Sequence, residues 1–250
     1  MHNNFFCKST YINLYNNPSL NSKLASQILY GERFKVLGKK KKFLKIKTYY
    51  DNYVGYIKSS NYIDKFISTH KVSVLKSRIL KYPSTLTKYK SNKFLSFSSE
   101  IKILKKKKNF IMFDNNKWIS VKDVKLVNQK EKKISKILKL FLNCKYKWGG
   151  KSYNGIDCSA LIQLFYKFNN KFFPRDSVDQ IKFKKSFVRK KKFKVGDIIY
   201  WKGHVAICLN SKKLIHAYGP KKKVLIMPIK KTIQLIKDTA NLEVKKTFSI

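Results

Sequence analysis

"YNGIDCSALIQLF" runs from Tyr153 to Phe165 and sets a cysteine directly after an aspartate, at the head of an apolar run of helical length. Asp157 suits the N-cap position, so Cys158 falls in the first turn, and Leu161, Ile162, Leu164 and Phe165 supply a buried face. A free thiol titrates near about 8.5. The first turn of a helix offers unpaired N–H groups and a partial positive charge, and both stabilise a thiolate. A helix start is therefore where a nucleophilic cysteine is useful. It also suits a small packing residue, so the motif needs a base beside it.

The chain has four histidines, and two are placed for that role. "VGDIIYWKGHVAICLNSKKLIHAYGP" (Val195 to Pro220) reads as three strands with turns at "WKG" and "NSKK". His204 opens the second strand and His216 lies in the third. A three-residue loop sets both imidazoles on one face as diagonal neighbours, roughly 7–8 Å apart. One then acts as base and the other orients it, as in a Cys–His–polar triad. Cys144, Cys158, His204, Cys208 and His216 are zinc-ligand types, but no CxxC or HxxxH pair exists among them. No metal and no cofactor is expected. Upstream, "EKKISKILKLFLN" (Glu131 to Asn143) has the apolar spacing of one helix face, and a glycine-rich loop, "CKYKWGGKSYNG", follows it.

The front of the chain carries a weak repeat. Tyr15 to Lys47 can be laid on Leu80 to Phe113: a proline turn, a polar stretch, an acid (Glu32, Glu100), a strand, a lysine turn and another strand. In "FKVL", "FLKI", "YVGYI", "IKIL" and "WISV" the apolar residues mostly alternate, the period of half-buried strands. Two copies of short strands suggest two small β-barrels. The expected domains are residues 1–64, 65–128 and 129–250.

The 250 residues carry a net charge of +44, which first suggests nucleic acid or an anionic surface. Only four of the 57 basic residues are arginine, the side chain suited to bidentate phosphate and base contacts. Alanine is scarce, whereas Asn, Ile, Phe and Tyr abound. AT-rich codon drift accounts for this pattern, and no specific nucleic-acid partner is expected. The sequence shows no signal-peptide pattern, no membrane-length apolar run and no disulfide framework, so the expectation is a cytoplasmic protein with no membrane partner.

"YKWGGKSYNGIDCSALIQ", "FPRDSVDQ", "VGDIIYWKGHVAICL" and "LIHAY" closely resemble the NlpC-type cysteine peptidases of bacterial cell walls, and "YGERFKVL", "FLKIK" and "YVGYI" resemble bacterial SH3-like domains. The fold this implies is α+β: two SH3-like barrels followed by a papain-like peptidase domain. The resemblance assigns Cys158 as nucleophile, His204 as general base, His216 as the third polar residue and Tyr146 as an aid to the oxyanion. Ala160 stands where the family usually has glycine. An acid at Asp176, together with N-terminal SH3-like domains, resembles a narrower group that cleaves the bond from γ-D-glutamate to a diamino acid. That group recognises a free N-terminal L-alanine, and Asp157, Ser159 and Asp176 match its amine-binding residues. The implied partner is a peptidoglycan-derived peptide met during wall recycling. The alternatives are a hydrolase of intact peptidoglycan and a non-catalytic module that binds anionic polymer.

Overall fold

The computed structural model describes residues 4–58, 61–183 and 192–249. It divides into two compact units, residues 1–130 with 151–153, and residues 131–150 with 154–250. None of the described helices is long and apolar enough to cross a membrane.

In the first unit, the strands of residues 4–63 form one seven-stranded sheet. Their alternating apolar side chains give the core: Leu14, Ile28, Phe34, Ile46 and Ile57 are all buried. Residues 70–126 repeat this strand order. His70–Val72, Lys76–Leu80, Lys90–Ser96, Phe110–Asp114, Lys117–Ser120 and Val124–Leu126 follow the sequence of strands in the first copy. The long first-copy strand Arg33–Lys40 is replaced by two short ones, Glu100–Ile101 and Lys105–Lys107, which belong to different sheets. The second copy is therefore a five-stranded and a three-stranded sheet around Val72, Ile79, Leu95, Ile111 and Ile119. The lysine runs occupy the same hairpin turn in each copy, with Lys41 and Lys108 at positive φ and the side chains in solvent.

The copies approach closely at Gly31, where φ is +79° and a Cβ would lie 2.2 Å from the Glu100 carbonyl oxygen. Only glycine fits such a contact. Nearby, Lys8 pairs with Asp114 at 2.6 Å. The residue after Gly31, Glu32, is buried and meets an equally buried Lys151 at 3.1 Å through both carboxylate oxygens. The Lys151 N–H also donates to the Gln27 side chain at 2.8 Å.

In the second unit, α1 (Ile134–Leu138) runs into a 3-10 turn, Lys139–Phe141. It is shorter than the helix expected over Glu131–Asn143. Lys133 stands at its N-cap and offers no side-chain acceptor, so nothing holds an earlier start. Helix α2 (Cys158–Phe168) is buried along its whole length. Next come α3 (Ser177–Phe183), strands β1 (Ile198–Trp201), β2 (His204–Cys208), β3 (Lys213–Tyr218) and β4 (Lys223–Pro228), helix α4 (Ile229–Ala240) and strand β5 (Lys246–Phe248). The sheet order is β4-β3-β2-β1-β5. Helix α2 packs across β2 and β3, which sets its first turn near the start of β2. The segment after Lys230 completes the second unit. It is structural: α4 buries Ile229, Thr232 and Ile236, and β5 extends the sheet beside β1.

Candidate active site

Asp157 caps α2 by accepting the Ala160 N–H at 2.8 Å. The same carboxylate takes a bidentate grip from Arg175, at 3.0 and 2.7 Å, and the Gly149 N–H at 3.0 Å. Ser159 donates its hydroxyl to Asp157 at 3.1 Å and accepts from Arg175 at 3.0 Å. A carboxylate has about four lone-pair sites, and those of Asp157 are taken up inside the protein. Asp157 and Ser159 thus hold the first turn of α2, where the sequence pointed to substrate contacts. Arg175 is the residue the sequence reading passed over. It is 2% exposed and also donates to the Gly150 carbonyl, so it ties the glycine loop to the helix start. The loop itself is tight, since a Cβ at Gly150 would meet the Gly155 carbonyl oxygen at 2.4 Å.

Cys158 is buried, with the backbone N–H groups of Val205 and Ser159 near enough to lower its thiol pKa. Val205 immediately follows His204. The sequence argued for a thiolate at this helix start, but the surroundings oppose one. Burial, with the Asp157 charge added, pushes the thiol up to about 12, against the lowering effect of the two N–H groups and Arg175. Burial also lowers His204 to about 4 and His216 to about 3, the second helped by its neighbour. All three shifts favour the neutral forms, a thiol and two imidazoles, at rest.

The register Ile207↔Ile215 and Cys208↔Leu214 makes the two histidines diagonal neighbours on one face. Leu209 and Lys213 bond at 2.9 Å, which leaves the three-residue loop expected. The side chains lean together more than a bare diagonal pair requires: His204 Nε2 lies 3.0 Å from His216 Nδ1. The Tyr218 ring stacks on His216 at 4.8 Å. The other nitrogen of His216, Nε2, faces the Met227 sulfur at 3.4 Å. A thioether can only accept, so Nε2 of His216 carries the hydrogen. Its Nδ1 is then an acceptor, and His204 donates Nε2–H to it. His204 Nδ1 is left with a lone pair, the form a base needs for taking a thiol proton. Replacing Met227 with leucine removes the acceptor that sets this order. Met227→Leu is expected to lower kcat severalfold with KM little changed, read from initial rates on a hydrolysed peptide; an unchanged kcat leaves the sulfur without influence.

The buried imidazoles also make stability depend on pH. Unfolded, both take up protons near the ordinary 6.5, whereas folded they do so only near 4 and 3. Between these values the unfolded chain binds more protons, so stability is full above about 6.5 and falls as pH drops through the folded values. A Tm series from pH 7 to 4 should show this decline, and it should be shallower in His216→Asn.

Tyr146 lies within electrostatic reach of Cys158, and with His204 it lines one cavity. Its ring also sits 3.5 Å from where a Cβ on Gly219 would be. Asp176 is half-buried at the start of α3, where its carbonyl accepts the Asp179 and Gln180 N–H groups. Among the described residues no three His, Cys, Asp or Glu side chains gather in the manner of a metal site.

Residues 143–239 match the NlpC/P60 family, and residues 14–61 match the bacterial dipeptidyl-peptidase Sh3 domain. Dipeptidyl-peptidase 6 of Lysinibacillus sphaericus is 36% identical over 72 residues, 29% of this chain and 27% of that protein. The gamma-D-glutamyl-L-lysine dipeptidyl-peptidase of Bacillus cereus is 33% identical over 99 residues, 36% of this chain and 29% of that protein. Each of these matches spans under a third of the relative's length. A crystal structure of an NlpC/P60 family protein from Bacillus cereus superposes with a TM-score of 0.76 at 21% identity, covering 90% of this chain and 94% of that one, which shows a shared fold. The helix of Cys158 and the strands of His204 and His216 lie within the first match and much of the seven-stranded sheet within the second, and the chain contains an NlpC/P60-family domain together with a bacterial dipeptidyl-peptidase SH3 domain.

Proposed function

We propose that the chain is a cysteine endopeptidase that hydrolyses the γ-D-glutamyl–diamino acid bond of peptidoglycan stem peptides with a free N-terminal L-alanine. The observation that carries this reading is the ordered row Met227–His216–His204 beside a cysteine at a helix start. The match of residues 14–61 to a dipeptidyl-peptidase SH3 domain and the names of the two relatives support the substrate class. Residues 1–64 and 65–128 are two SH3-like domains, the second diverged, and 129–250 are the peptidase. The parallel strand order of the two copies supports this division. Free L-alanyl stems arise once a stem has left its sugar, so the role is wall recycling in the cytoplasm.

The mechanism follows from the neutral resting site. Substrate binding places the γ-carbonyl of D-glutamate against Sγ of Cys158. His204 Nδ1 takes the thiol proton as the C–S bond forms, and the imidazolium is steadied by His216. Backbone N–H groups at the start of α2, with Tyr146, hold the oxyanion. His204 returns its proton to the leaving amine, and water, activated by the same imidazole, cleaves the thioester. Incubation with L-Ala-γ-D-Glu-diaminopimelate should release L-Ala-D-Glu and the free diamino acid. Release from intact sacculi but not from this peptide would overturn the reading.

Asp176 is assigned to the substrate ammonium, since Asp157 is committed to Arg175. Asp176→Asn is expected to lower kcat/KM for the free-amine peptide by about ten- to a hundredfold, the worth of a charged hydrogen bond. The N-acetylated peptide, poor for the wild type, should lose nothing further. A turn-capping role predicts equal losses on both, so the ratio of the two kcat/KM values decides.

A further inference from the structure

A cavity of about 570 Å³ opens in the first unit, and both copies of the repeat line it. The first copy supplies Lys8, Tyr30 and Asn61, and the second supplies residues of the segments 79–81, 91–93 and 113–117. The seam around it is held close. The Glu100 N–H donates to the Tyr30 carbonyl at 2.9 Å, next to the Gly31 contact, and Lys8 crosses to Asp114. Tyr30, Ile79, Leu80 and Phe113 are all buried and make the inner end apolar. Tyr30 is 2% exposed, and its hydroxyl has no hydrogen-bond partner among the described residues. A buried hydroxyl left unmet costs free energy, so it favours an occupant that brings an oxygen to it.

The solvent side of the cavity is cationic. None of its described lining residues is an acid. Lys8 and Lys117 share the neighbouring Asp114, at 2.6 and 2.9 Å, and that carboxylate also takes the Asn115 N–H at 2.9 Å. Lys81 and Lys93 are exposed and pair with no carboxylate among the described residues. Four lysines against one aspartate leave three positive charges around the cavity. The exposed amides of Asn61, Asn115 and Asn116 add donors at the mouth.

We propose that this cavity is a second binding site, for a small phosphate monoester carried on a flat apolar ring. The ring suits the aromatic inner end, and the cavity has the size of a small-molecule site. Lysine ammoniums act on phosphate as point charges, and a surplus of positive charge favours a dianion over a single carboxylate. Cys158, His204 and His216 belong to the other unit, so the proposal stands apart from the peptidase reading.

The test is calorimetric titration of the full chain with phenyl phosphate, inorganic phosphate and phenol. Salt at about 0.15 M screens lysines scattered over the surface. Phenyl phosphate should saturate a single site per chain, bind about tenfold more tightly than inorganic phosphate because its ring is buried, and leave phenol without measurable binding over the same range. Tyr30→Phe keeps the ring and removes only the hydroxyl, and should weaken phenyl phosphate about tenfold, the worth of one hydrogen bond to a charged group. The doubly substituted Lys81→Met, Lys93→Met protein changes only exposed positions and should weaken it at least as much. Equal affinity for the two phosphates, several weak sites per chain, or full-strength binding in either variant overturns the inference. So does a phosphotyrosine tetrapeptide that binds more tightly than phenyl phosphate, which assigns the site to a modified protein instead.

Discussion

Cys158→Ala is expected to abolish peptide hydrolysis, with a loss of up to about a millionfold in kcat, because a nucleophile and its base act as a unit. The fold should survive. The cysteine side chain is small, Asp157 still caps α2 through the Ala160 N–H, and alanine is the best helix former. His204→Ala should cost nearly as much. Burial raises the thiol above its ordinary value, so attack depends on a base to draw the proton. Product release measured by chromatography, beside a thermal melt, separates lost chemistry from lost structure. Wild-type turnover in the alanine variant would remove Cys158 from the mechanism and the peptidase reading along with it.

Arg175→Ala carries the second largest effect, on stability and activity together. The guanidinium and the Asp157 carboxylate are 1% and 9% exposed, so removing the cation strands a buried anion. Breaking such a pair costs about 3–5 kcal/mol, a Tm loss on the order of 10 °C for a chain of this size. The Gly150 carbonyl and the Ser159 hydroxyl lose a donor in the same step. The first turn of α2, which presents Cys158, then loses the group that ties its cap to the Gly150 carbonyl and the Ser159 hydroxyl. Arg175→Lys should recover part of the stability and little of the activity, because one ammonium cannot reproduce two parallel bonds. Melting temperatures and kcat for both variants check this, and a Tm within about 2 °C of wild type in Arg175→Ala would show that the pair contributes little.

What the sequence made legible were features written in short-range pattern. The cap and apolar run after Asp157 fixed α2, and the spacing of His204 and His216 about a short loop fixed their shared face. Partners distant along the chain stayed hidden. Arg175 stands 18 residues from Asp157, and nothing local ties one to the other. Its rarity was the available signal: in a chain where drift has made almost every cation lysine, a retained arginine marks a place where only the planar fork works. Met227 was hidden for a different reason, since a methionine in a strand reads as packing and its effect on a proton appears only once β4 lies beside β3. The neutral state of Cys158 could not be read either. Local sequence reports the helix start that favours a thiolate, while the burial that opposes it comes from the sheet packed against α2.

The Glu32–Lys151 pair bears on how such a chain is made and how its parts can be reused. Glu32 emerges early in synthesis, and its ammonium partner follows 119 residues later. Until then the early β unit holds a carboxylate in a site built to be dry, and the Gln27 side chain lacks the N–H it binds in the finished protein. The unit is therefore complete only when its last piece, residues 151–153, arrives after residues 131–150 of the other unit. A gene fusion cut at residue 130 would inherit the strands without that closing piece. The front half is accordingly not a portable cassette, and shuffling it between proteins would need Lys151 moved with it or Glu32 replaced by an apolar side chain.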